Sequence, residues 1–189
     1  PNIMSGYWKN EEATREMFDA EGYFLTGDVG EMDPQGRVKI TDRKKEIIVT
    51  SGGKNVAPQP VENLLRADRY IEQAVLIGDK RNHITALILP YFPALKEWCQ
   101  RKHLTFETNA EMLAHPKVYA KIMKQVSVVN AHLSNYEKER KIALIENEMT
   151  PENGLLTPSM KIKRRVVSEV YADVIDKLYA SSKSVQDQD

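Results

Sequence analysis

Thiols are nearly absent from this 189-residue chain: Cys99 stands alone, which excludes an intramolecular disulfide and a cysteine-based zinc site. A reducing compartment, with the cytoplasm as the simplest instance, suits such a sequence, and a buried structural thiol is the plain reading of the residue. Excess charge is also missing, since 27 Lys and Arg balance 27 Asp and Glu. Proteins that track a phosphate backbone carry a marked positive excess, so no nucleic-acid partner is expected. No apolar run approaches the roughly 18 residues of a membrane-crossing helix, and no charged-then-apolar start marks an export signal. His83, His103, His115 and His132 share no ligand spacing; they read as surface or satisfied core positions, and no metal site is expected. What is present is the composition of a folded domain, 41% hydrophobic and 29% charged, long enough to bury a core. The chain opens on Pro1-Asn2-Ile3, which reads as a start inside a longer protein.

Local signals outline the elements. Asn10 before Glu11 and Glu12 reads as a helix cap followed by acids that suit the positive end of the helix, and a short helix to about Phe18 follows. From Tyr23 to Thr41 the pattern is of strands broken by turns, with Asp33-Pro34-Gln35-Gly36 as a hairpin turn and Val38 and Ile40 alternating with Lys39 and Thr41. Ile47-Ile48-Val49 forms a further strand that ends at Ser51-Gly52-Gly53-Lys54-Asn55. Pro58 and Pro60 open a helix carrying Val61, Leu64 and Leu65. Ala74 to Ile77 and Ile84 to Leu89 should pair as a hairpin. Val118, Ile122, Val126, Val129 and Leu133 make one apolar helical stripe, Ile142 to Ile145 adds a strand, and Thr150 to Ser159 is a loop. A final helix carries Val166, Val167, Val170, Tyr171, Val174, Ile175 and Leu178, ahead of a polar tail from Ser181. Trp98, Tyr119 and Tyr171 read as core, while residues 103–117 look like an insertion of mixed polarity. Because strands and helices interleave without a strand-helix-strand rhythm, the fold class predicted is α+β.

Two clusters combine glycine, fixed charge and turn chemistry. In Gly22-Tyr23-Phe24-Leu25-Thr26-Gly27-Asp28, a carboxylate follows a glycine at a strand end. It either caps its own backbone or accepts hydrogen bonds from adjacent hydroxyls such as those of a ribose. Asp42-Arg43-Lys44-Lys45-Glu46 holds three consecutive cations and by itself suits a solvated face; Ser51-Gly52-Gly53-Lys54 downstream offers a turn that could cradle a phosphate-bearing or extended ligand. The second cluster is Leu155-Leu156-Thr157-Pro158-Ser159-Met160-Lys161-Ile162-Lys163-Arg164-Arg165. An ammonium at a loop tip there could neutralise a carboxylate and a neighbouring phosphate, easing their reaction, whereas a merely basic helix start would oppose the helix dipole.

Taken in order, Gly22 to Asp28, Gly36 to Ile48, Ser51 to Asn55 and Leu156 to Arg164 resemble the C-terminal third of AMP-forming acyl-CoA synthetases, and most of all the long-chain fatty acid branch. The resemblance spans nearly the whole chain. It implies a tail of a large adenylation domain over residues 1–43 and, over 44–189, a mobile lid of hairpins and a small sheet flanked by helices. It further implies that Asp28 and Arg43 hold the ribose of ATP or AMP, that Lys45 is the hinge, and that Gly52 and Gly53, with Lys54 nearby, line the coenzyme A tunnel. Lys161 matches the lysine that bridges the fatty carboxylate and the α-phosphate. Met160 departs from the pattern, because many relatives carry glycine immediately before that lysine.

The reaction implied converts a fatty acid and ATP to acyl-AMP and pyrophosphate, then with CoA to acyl-CoA and AMP. Mg2+ would travel with ATP and the upstream domain, and this chain alone is expected to be inactive. The other readings are the lid of a ligase for another acid or an acyl carrier, and a binding domain that keeps the lid fold without the chemistry. Peripheral contact with a membrane suits a fatty-acid enzyme, although no basic amphipathic helix marks it.

Overall fold

Local sequence signals account for most elements of the computed structural model, which describes residues 2–180. The chain divides between Lys45 and Glu46 into two units, so Lys44 and Lys45 lie with the smaller one. In that unit, helix α1 (Glu11–Glu16) is capped by Asn10, whose side-chain oxygen accepts from the Ala13 amide at 3.0 Å. Strands β1 (Asp28–Met32) and β2 (Val38–Arg43) pair antiparallel across the expected turn. Asp33 builds that turn by accepting from the Gln35 and Arg37 amides at 2.9 Å each. The backbone bond from Arg37, followed by its guanidinium, holds the Asp33 carboxyl below the usual range. The alternation in β2 is real, yet Val38 and Ile40 lie exposed, as does Met32 across from Val38.

The larger unit opens with a two-residue hairpin, β3 (Ile48–Val49) with β4 (Asn55–Val56), and helix α2 (Pro58–Arg66). Strands β5 (Ile71–Ile77) and β6 (Ile84–Pro90) then pair antiparallel, as the sequence predicts. Helices α3 (Phe92–Arg101), α4 (Asn109–Ala114) and α5 (Pro116–Asn130) form a long crossover that returns the chain to β7 (Glu139–Leu144), which lies parallel to β6. A parallel neighbour requires such a crossover. The sheet order is therefore β5-β6-β7, with β6 central and buried at every residue. Mixed α+β architecture, with small sheets and flanking helices, is thus what the chain forms.

Successive strand residues face opposite sides, so the sheet feeds two cores. Ala74, Leu76, Ala86 and Ile88 pack with Val61 and Leu65 of α2, Leu95 of α3, and Val118, Ile122 and Val126 of α5. Val75, Ile77, Leu87 and Leu89 pack instead with Met149, Leu155, Leu156, Val167, Ile175 and Tyr179. Each fully buried Leu or Ile contributes about 1.5 to 3 kcal/mol, so this doubly covered sheet outweighs any surface pair in the unit.

Several expectations change here. The last helix is two, α6 (Arg164–Val170) and α7 (Ala172–Ala180), separated at Tyr171, whose backbone leaves helical geometry (φ −101°, ψ 20°). Val170 is consequently 62% exposed, and Tyr179 takes the inner position, with its hydroxyl 3.0 Å from the Ile77 carbonyl oxygen and 2.9 Å from that of His83. Tyr119 is an exposed residue of α5 and not core. The supposed insertion contributes to the core, because α4 is capped by Thr108 and buries Met112. Cys99 is buried, and burial pushes its thiol up. The tail from Ser181 lies outside the described residues. No helix among those described is long and apolar enough to cross a membrane.

His83 is buried, and its Nε2 has no hydrogen-bond partner among the described residues; burial, helped by the charges of Arg140 and Lys141, lowers its pKa. Glu139 is 2% exposed, and both carboxylate oxygens likewise have no hydrogen-bond partner among the described residues. Its backbone is held by Asn130, which donates to the Glu139 carbonyl at 3.0 Å and accepts from its amide at 3.1 Å. Burial, with the charges of Glu137 and Glu62 adding to it, pushes the Glu139 carboxyl from 4.5 up to about 7. Between those values the folded chain keeps a proton that the unfolded chain has released. The stabilisation from this group is therefore fully present below pH 4.5 and is lost as pH rises through about 7. Unfolding free energy from urea titrations should fall by about 3 kcal/mol over that window on account of this group. Glu139→Gln should flatten the slope, and an unchanged slope in the variant would assign it elsewhere.

Candidate functional site

Asp28 and Arg43 face each other at the open end of the β1–β2 hairpin, and Arg43 Nε lies 2.7 Å from Asp28 Oδ1. Two local contacts shape this end: the Asp28 amide donates to Thr26 Oγ1 at 3.1 Å and the Lys44 amide to the Gly27 carbonyl at 2.7 Å. Gly27 sits at φ +73° with open space where a Cβ would stand, so backbone conformation and not crowding favours glycine there. The Asp28 side chain is 25% exposed and that of Arg43 58%. A carboxylate with one oxygen on a guanidinium keeps acceptor capacity for a vicinal diol, and the guanidinium keeps donors for the same group. The hairpin thus joins the two residues singled out for a ribose.

Gly52, Gly53 and Lys54 are exposed on the loop closing β3 and β4. The Thr50 amide donates to the Lys54 carbonyl at 3.0 Å, the Gly53 amide to the Thr50 carbonyl at 2.9 Å, and the Lys54 amide to Thr50 Oγ1 at 3.1 Å. Gly53 takes φ +71° with nothing within 4 Å of a would-be Cβ. The Ser51 amide donates to the Arg81 carbonyl at 2.8 Å, tying the loop to the turn between β5 and β6. The result is a thin, side-chain-free edge on a fixed base.

Lys161 occupies a different loop of the same unit. Leu156 and Ile162 form an antiparallel bridge at its neck. The Thr157 amide donates to the Lys161 carbonyl at 2.7 Å, and the Lys161 amide to Thr157 Oγ1 at 3.0 Å. Leu155 and Leu156 are buried below the neck, whereas Lys161 is exposed and its ammonium has no partner among the described residues. Met160 adopts φ +61°, the left-handed region that glycine enters freely. The methionine therefore keeps a turn that glycine would make, at about 1 kcal/mol of backbone strain.

Sequence reasoning assigned no role to Arg164 or Glu62. Arg164 begins α6, where a cation opposes the helix dipole, and its guanidinium turns inward: Nη1 and Nη2 reach Glu62 Oε1 and Oε2 at 2.6 and 2.8 Å. Nε meets Glu46 Oε2 at 3.0 Å. Glu62 is 4% exposed and also accepts from the Leu76 amide at 2.8 Å. One signal was available in the sequence, a glutamate on the same face of α2 as Val61 and Leu65. Lys45 is exposed at the end of the smaller unit, one position before Glu46. Among the described residues no group of three or more His, Cys, Asp or Glu could hold a metal ion.

Comparison with known proteins gives a consistent result. A family model described as the AMP-binding enzyme C-terminal domain matches residues 45–183. The chain is 45% identical to Long-chain-fatty-acid–CoA ligase FadD15 of Mycobacterium tuberculosis, over 94% of this chain and 30% of that protein. It is 35% identical to Long chain acyl-CoA synthetase 7, peroxisomal, of Arabidopsis thaliana, over 95% of this chain and 26% of that one. It thus spans under a third of the curated relatives' length. The A domain of carboxylic acid reductase from Segniliparus rugosus, solved with AMP and a co-purified carboxylic acid, is similar at a TM-score of 0.77 and 26% identity, over 95% of this chain and 27% of that one.

Replacing Arg164 by Met strands the buried Glu62 carboxylate and should lower the unfolding free energy by about 3 kcal/mol in urea denaturation. The double variant Arg164→Met, Glu62→Met should recover roughly half of that loss or more, because it removes both charges together.

Proposed function

Because this chain belongs to the AMP-binding enzyme C-terminal domain family, we propose that it is the C-terminal portion of an ATP-dependent long-chain fatty acid:CoA ligase. The observation that carries the reading is the ammonium of Lys161, without a partner among the described residues, at the tip of a bridged loop with a buried base. A carboxylate is a poor acyl donor. In the proposed reaction its oxygen attacks the α-phosphorus of ATP, pyrophosphate leaves, and Lys161 offsets the negative charge that the two anions bring together. The sulfur of CoA then attacks the acyl carbon and AMP leaves. Similarity to proteins named long-chain fatty acid–CoA ligases supports this substrate class, and the reductase domain solved with AMP and a carboxylic acid supports an acid-and-adenylate step.

Asp28 and Arg43 have the donors and acceptors to hold the ribose hydroxyls of ATP and AMP. Gly52 and Gly53, with Lys54 beside them, line the path of the pantetheine arm, where a missing Cβ leaves room for an extended chain. Lys45 is the hinge about which residues 44–189 turn as a lid between the half-reactions, following the tail of the adenylation domain in 1–43. Mg2+ arrives with ATP, and no step is assigned to it through these residues. The chain alone is inactive, since its residues supply only part of such a site, and the reaction belongs to the cytoplasm or a membrane edge facing it.

The test uses the full-length protein that contains this chain. Lys161→Ala should reduce fatty-acid-dependent exchange of pyrophosphate into ATP by about 10² to 10³-fold. It should leave thioester formation from supplied acyl-adenylate and CoA largely intact. Full exchange in the variant would remove Lys161 from the first step, and no exchange by the native protein with any fatty acid would remove the long-chain reading.

A further inference from the structure

Arg164 lies three positions after Lys161, and the intervening backbone is held at two points. Ile162 bridges Leu156, and the Lys163 amide donates to the Leu155 carbonyl at 2.9 Å. The direction in which the lysine loop leaves the core is therefore set by where Arg164 is fastened. We propose that Arg164 is the positioning residue for Lys161, and that its link to Glu46 couples the first residue of the larger unit to the orientation of the lysine loop. The proposal rests on the reading of Lys161 as the adenylation residue and deepens it.

Charge neutralisation alone does not explain the arrangement. Glu62 already satisfies both terminal nitrogens of Arg164, with the Leu76 carbonyl 3.4 Å from Nη1. Glu46 takes the Nε–H, which places two carboxylates around one guanidinium. The Glu46 side chain is 41% exposed, so its share in holding the fold is that of a surface pair, whereas that of Glu62 is 5% exposed. The planar fork reaches three carboxylate oxygens in fixed directions, which the single ammonium of a lysine cannot do. Glu62 thus fastens Arg164 to α2 and β5, and Glu46 fastens it to the segment that follows Lys45. A rigid triangle of this kind lets a movement at the start of the unit carry Lys161 with it, without slack at the loop.

The experiment uses the full-length protein with Glu46→Ala and Arg164→Lys, each made alone and in a Lys161→Ala background. Glu46→Ala should lower pyrophosphate exchange on the order of tenfold, leave thioester formation from supplied acyl-adenylate unchanged, and move the melting temperature by no more than about 2 °C. Arg164→Lys should lower exchange further. Neither substitution should reduce exchange beyond the level of Lys161→Ala itself, because both act through that lysine. Further loss in the Lys161→Ala background, equal loss of both half-reactions, or an unchanged exchange rate overturns the proposal. Hydrogen exchange supplies a second readout that needs no activity. The amides of Thr157 and Lys161 should lose protection in Glu46→Ala while those of α3 keep theirs, and unchanged protection overturns the proposal even if the native protein makes no adenylate. Absence of fatty-acid-dependent exchange in the native protein sinks the ligase reading separately.

Discussion

The larger unit hangs on the carboxylate of Glu62. It sits on the inner face of α2, accepts the Leu76 amide of β5, and grips the guanidinium of Arg164 at the start of α6 with both oxygens. Three elements distant in the chain meet at two atoms in a nearly dry environment. A buried charge without its partner is costly, so the pair leaves few alternative arrangements of α2, β5 and α6. Once these are placed, the strand residues on either side of Leu76 are committed to their respective cores.

The doubly covered sheet explains why polar groups are confined to its ends. Strand β6 is buried throughout, and the chain next to it holds His83 just before it and Glu139 opposite Ile84; the His83 Nε2 and the Glu139 carboxylate oxygens find no hydrogen-bond partner among the described residues. His83 packs against the Tyr179 ring at 4.9 Å between centroids, so an aromatic contact stands in part for hydration. The Tyr179 hydroxyl satisfies itself on backbone carbonyls, and burial, the larger influence, raises its pKa. The sheet end near residues 83 and 139 is thus where buried polar atoms lack hydrogen-bond partners among the described residues.

The surface loops follow a different rule. Each carries its distinctive residue on a backbone whose amides donate to the hydroxyl of the loop's own first threonine, Thr50 in the glycine loop and Thr157 in the lysine loop. An exposed Lys161 or Gly53 therefore needs no contact of its own side chain to be held: the loop's backbone and the base beneath it do so, with the Arg164 ion pairs part of that base for Lys161. The exposed apolar face of the β1–β2 hairpin, Met32, Val38 and Ile40, shows the same alternation as a core strand but finds no core within its own unit.

By itself the sequence determined whatever depends on neighbours within a few positions. Asn10 caps its helix, Asp33 closes its turn, the two glycines after Ser51 make the loop, and the paired apolar runs around residue 80 make the hairpin. The four ordered motifs also carried the resemblance to AMP-forming acyl-CoA synthetases, and the family match over residues 45–183 agrees with that resemblance. Only the tertiary structure decided that β7 lies parallel to β6, that the last helix breaks at Tyr171, and that Arg164 meets a glutamate 102 positions away. Capping, turn and alternation signals reside in side chains that touch their own backbone, whereas the burial of a charge depends on which distant element covers it, and that is known only when the sheet has closed on both faces.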